Sequence, residues 1–73
     1  MDFKDWIIKE KGYGDKSASD VISRVKRAQK LCEKEDFSNS DLEESKEFLS
    51  LSLTVKSQIR NAVRIRDAYN NVK

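Results

Sequence analysis

The side chains able to do chemistry in this chain are mostly charged. Lys26, Arg27, Lys30 and Lys34 recur three and four residues apart, and Lys56, Arg60 and Arg64 recur at intervals of four. On a helix either spacing gathers its members on one face. Such a row of cations neutralises phosphate well and transfers protons poorly near neutral pH. The chain has no histidine, which removes Ser-His-Asp and Cys-His nucleophile systems and His-containing zinc sites. With two glycines and no proline, a glycine-rich phosphate loop has no material. The single cysteine, Cys32, closes no intrachain disulfide and has no partner ligand for a metal. No enzyme is expected, and no cofactor or metal.

Seventy-three residues and 8.5 kDa allow one domain, residues 1–73, with a thin core. Hydrophobic residues make 37% and charged residues 38%, against roughly 25% charged in an average soluble domain. The net charge of +2 hides blocks: residues 1–16 are neutral, 17–34 carry +3, 35–50 carry −5 and 51–73 carry +4. Cations on the outer face of an amphipathic helix are ordinarily just solvated. Two same-sign stripes with few acidic partners inside them are less ordinary, because surfaces built for solubility mix the signs. The acidic block is the counterweight: paired with the stripes in the fold, it would lower the case for phosphate binding.

Apolar residues three and four apart predict helices throughout, at about 3–11, 17–34, 40–49 and 54–70. In the first, Phe3, Trp6, Ile7 and Glu10 share a side, and Gly12 is a natural left-handed cap. The second opens at Ser17 as N-cap, with Asp20 favouring the positive helix end; Val21, Val25, Ala28 and Cys32 form its apolar stripe. The third opens on Ser40-Asp41-Leu42-Glu43, a capping-box pattern, and places Leu42 and Leu49 on one face. Ser50 to Leu53 alternates like a strand but has nothing to pair with, so it reads as a connection. The fourth, from near Thr54, has Val55, Ile59, Ala62, Val63 and Tyr69 on its apolar side. Arg66 falls on that side too.

The stretch KGYGDKSASDVISRVKRAQKL resembles the opening of the core-binding, SAM-like domain of tyrosine recombinases and phage integrases. That domain shows a Thr, an aromatic or apolar residue four on, Leu eight on and an aromatic eleven on. Here Ser17, Val21, Val25 and Ala28 hold those places, with Gly14 where a serine often stands. TVKSQIRNAVRIRDAY is similar to the domain's last helix, whose signature is Ala-Leu-Arg followed by an aromatic pair. Ala62-Val63-Arg64 fits, while Arg66 and Asp67 stand in place of the aromatics. The resemblance implies an all-α, four-helix SAM-like orthogonal bundle, forming half of a clamp on duplex DNA. Outward Lys26, Arg27, Lys30, Lys56, Arg60 and Arg64 would make the contacts, with Arg24 and Lys34 completing the candidate DNA-binding set. The family's catalytic residues belong to a separate C-terminal domain, a possible further partner, so Tyr13 and Tyr69 are not read as nucleophiles.

The rival expectation is a protein-interaction or inhibitor module that docks a partner through Glu43, Glu44 and Glu47 or through the basic face. The acidic residues Glu35, Asp36, Asp41, Glu43, Glu44 and Glu47 lack the spacing and central glycine of a calcium loop. Phe3 and Trp6 read as core, Cys32 as buried and inert. Tyr13, between two glycines, has two readings, a cover for the core edge or an exposed contact. Charges at Asp2, Lys4, Asp5 and Lys9 interrupt the N-terminal MDFKDWIIKEKG, so a signal peptide and a membrane span are not expected and a cytoplasmic location is.

Overall fold

The computed structural model describes residues 2–34 and 36–72; Glu35, counted above in the acidic cluster, lies outside them. The described chain is all-α, with five helices where four are expected. Helix α1, Phe3–Lys11, opens on Asp2, whose carboxylate accepts from the Asp5 N–H at 2.9 Å. It closes on Gly12 at φ 69°, the left-handed cap its position predicts.

Helix α2, Asp15–Cys32, starts two residues before Ser17. Gly14, extended at φ −72° and ψ 170°, is the N-cap, and its carbonyl accepts from the Ala18 N–H at 3.0 Å. Glycine caps nearly as well as threonine, so Ser17 is not needed there and lies inside the helix. Asp15 supplies the negative charge of the first turn. The helix stops at Cys32 because Glu33 turns left-handed at φ 56°, which leaves Lys34 beyond its end.

The third expected helix is two short ones, α3, Asn39–Glu43, and α4, Lys46–Leu49. The capping box sits two residues earlier than Ser40 and Glu43: the Ser38 N–H donates to the Asp41 carboxylate at 2.8 Å. Ser45 breaks the run, taking extended backbone and accepting the Phe48 N–H on its hydroxyl at 3.2 Å. The break turns Phe48 inward, fully buried beside Leu42, and leaves Leu49 45% exposed, so Leu42 and Leu49 do not share a buried face. Residues 50–52 connect, and α5, Leu53–Val72, outruns its expected limits at both ends. Its first turn is capped by Ser52, whose hydroxyl accepts from the Val55 N–H at 3.3 Å.

Helices α2 and α5 form the frame. Val21 lies in one core cluster with Ala62 and Ile65, while Ala28 lies in the other with Ile59 and Val63. The two helices therefore run antiparallel. Helix α1 closes the first cluster with Ile7, and Phe37, Leu42 and Phe48 from the segment carrying α3 and α4 close the second. Val25 packs against both. The Cα envelope of 34 × 23 × 14 Å is a slab, its thickness that of two helix layers set 8–10 Å apart. Phe3 and Trp6 are only half-buried, and their rings meet Tyr69 at 5.2 and 5.5 Å between centroids. Among the described residues no helix is long and apolar enough to cross a membrane.

Candidate nucleic-acid interface

Helix α2 buries Ala18, Val21 and Ala28, so the residues on its opposite side face solvent. Lys26, Arg27 and Lys30 are exposed there, and none forms an ion pair with another described residue. Lys16 joins them. The early start of α2 places Lys16 inside the helix, three and seven residues before Ser19 and Ser23 on the same outward side, and exposed. Ser17 as N-cap hid it; Gly14-Asp15, a capping glycine followed by an acid, was the signal for the true start. From Lys16 to Lys30 the basic residues on this side of the helix span about 21 Å, with Ser19 and Ser23 between Lys16 and Lys26.

The remaining nominated cations divide. Lys34 is held by Asp41 at 2.9 Å; its hydrogen bond to that carboxylate raises its pKa, and the same bond with the Ser38 N–H holds Asp41 below the ordinary carboxylate value. Arg60 is paired with Glu43, its guanidinium 5.3 Å from the Phe48 ring centroid. The acidic segment therefore takes one cation from each stripe. Lys56 is half-buried and Arg64 exposed on α5, neither paired with a described residue. Because α2 and α5 pack through their apolar faces, their outward faces point away from each other. Lys26, Arg27 and Lys30 lie on one outer side, Arg64 on the other, so the eight cations do not form one surface.

Arg24 is half-buried at the flank where the two helices meet. There it lines a recess with Tyr13, Ser17, Asp20, Val21 and Asn61. On the other side of the α2 ridge a shallow groove is lined by Lys26, Gln29, Lys30, Glu33 and Lys34.

Arg66, on the apolar side of α5, is resolved by packing. Its guanidinium lies 4.1 Å from the Phe37 ring centroid, donates to the Phe37 carbonyl and reaches Asp67 at 2.7 Å. The cation is thus a lid over an aromatic ring rather than a buried charge. Cys32 is half-buried, and burial pushes its thiol pKa up. Among the described residues no group of three or more acidic or Cys side chains is placed to hold a metal.

No protein-family model, curated protein or solved structure matches the chain.

Proposed function

We propose that the chain is a non-catalytic DNA-binding module of the kind its resemblance to the integrase core-binding domain implies, gripping duplex DNA chiefly through the outward ridge of α2. The observation that carries this reading is the row Lys26, Arg27 and Lys30, exposed and without an ionic partner among the described residues, while Asp41 and Glu43 are engaged elsewhere. Cations kept free in a chain with thirteen acids are available to an external anion. Each phosphate they neutralise releases counterions, so affinity falls with salt. The α5 stripe contributes less, since Arg60 is already paired.

A salt titration of duplex binding tests this. Affinity should fall steeply with salt, and Lys26→Ala or Lys30→Ala should each lower the slope of log K against log salt by about one. Arg60→Ala should leave the slope nearly unchanged. No binding at low ionic strength would overturn the reading.

A second reading, docking of a partner protein, draws on Glu44 and Glu47. Both are exposed and without an ion pair to a described residue, and Leu49, on the same short helix as Glu47, is 45% exposed. Charge reversal of these two glutamates should abolish partner capture if that reading holds, and leave or improve DNA binding if the first does.

A further inference from the structure

Helix α2 is a ridge with a depression along each side, and the two depressions differ. One is the groove of Lys26, Gln29, Lys30, Glu33 and Lys34, all contributed by α2 and the turn after it. The other lies between α2 and α5 and draws on three parts of the chain: Tyr13 from the α1–α2 linker, Ser17, Asp20 and Arg24 from α2, and Asn61 from α5, over the buried Val21. A major groove about 12 Å wide admits a single helix, whose own diameter is roughly 10–12 Å. A sugar–phosphate ridge then lies against each flank of that helix.

We infer that the recess between α2 and α5 is the seat of one such ridge, with Arg24, Asn61, Ser17 and Tyr13 donating to the phosphate oxygens of one strand. The inference rests on the DNA-binding reading and deepens it. A concave recess receives a convex backbone, and guanidinium, amide and hydroxyl groups are the donors that proteins set against DNA phosphates. Arg24 is the sole cation among them, so most of the seat acts through hydrogen bonds and fixes register rather than releasing counterions. Val21 offers the deoxyribose an apolar floor. Asp20 lines the same recess, and its carboxylate repels the strand that the other groups hold. That opposition gives the seat a signature: neutralising one residue strengthens binding, while charging its neighbour weakens it.

The test is fluorescence anisotropy of the full chain with a labelled duplex, with far-UV circular dichroism as a check on folding, since Asn61 and Asp20 are exposed. Asn61→Asp should weaken binding about tenfold, the scale of one charge-assisted hydrogen bond. Asn71→Asp, the same change at an exposed position near the end of α5, should change it less than about twofold, as a distant screened charge does. Asp20→Asn should tighten binding several-fold. Asn61→Ala should lower affinity with the salt slope unchanged, whereas Arg24→Gln should reduce that slope by about one. Salt-dependent binding indifferent to both Asn61→Asp and Asp20→Asn overturns the seat and spares the α2 grip. Failure of the unsubstituted chain to bind duplex overturns both.

Discussion

The two halves of the core are closed by different chemistry. At the α1 end the closure is chiefly aromatic and aliphatic: Ile7 is fully buried, and Phe3 and Trp6 lean on Tyr69. The cations there, Lys11 at 5.9 Å from the Trp6 ring centroid and Lys4 paired with Asp15 at 2.9 Å, sit at the rim rather than over fully buried rings. At the α3–α4 end the apolar residues Phe37, Leu42 and Phe48 are as well buried, but cations lie over them. Arg66 covers Phe37, Arg60 covers Phe48, and Lys34 ties Asp41 to the end of α2. The difference follows from segment length. Nine residues of α1 carry enough large apolar side chains to dock with, among the described residues, a single exposed ion pair, Lys4 to Asp15 of α2. Helices of five and four residues are too short to hold themselves and rely on several cross-links from α2, the turn after it and α5. A chain that is 38% charged has cations to spare for that purpose, and spends two of its candidate DNA contacts on it.

The comparison breaks hardest at Phe48. Phe48→Ala should cost about 3–5 kcal/mol, a large share of the roughly 4–11 kcal/mol that a chain of this length holds. Because Val25 packs against both clusters, the loss should reach Trp6 as well. Thermal melts followed by Trp6 fluorescence and by circular dichroism should fall together, and an unchanged Trp6 transition would show that the two ends are independent.

Arg66→Met keeps the apolar stem over Phe37 and removes the guanidinium. The expected cost is about 1–2 kcal/mol from the lost cation–π contact and the carbonyl left without its donor, read as a lower urea midpoint. An equal cost for Phe3→Leu at the opposite end, with the same salt dependence, would erase the contrast between the ends.

The smallest effect is a titration. The Asp41 pKa lies below its ordinary value of 3.8, owing first to Lys34 and then to the Ser38 N–H. Its contribution is therefore complete above the unfolded-state value and is lost as pH falls through the lower, folded one. Amide exchange in α3 should accelerate in that acid range before exchange in α1 does. Lysine titration adds nothing in this window, because the raised Lys34 pKa places its loss at alkaline pH.

Much of the frame was legible in the residues themselves. The spacing of Phe3, Trp6 and Ile7, the stripe through Val21 and Ala28, and the stripe through Ile59, Ala62 and Val63 each mark a helix and the face it buries, and Gly12 marks where one ends. The division of α3 from α4 was not legible, because a helical pattern continues through Ser45 and only the capping bond to Phe48 reveals the break. The role of Arg66 was not legible either. Its partner Phe37 is 29 residues away, and local periodicity carries no information at that range. Arg60 and Glu43, 17 residues apart, were each noticed separately, one as a DNA contact and one as a cap, while the fold makes them partners. The recess at Arg24 and Asn61 required knowing that α2 and α5 are antiparallel neighbours.

The chain has one tryptophan and one cysteine, and the fold has put them at opposite ends. Trp6 stands beside Tyr69 in one cluster, and Cys32 packs against the other. Cys32 is half-buried where it packs against the α3–α4 end, with its thiol pKa raised by burial, so opening of that end exposes it further to a thiol reagent. A rise in the thiol-labelling rate above that of the folded chain thus reports the opening of one end while indole fluorescence watches the other. The unmodified protein carries its own pair of local reporters, and the order in which its ends come apart can be timed without introducing a probe.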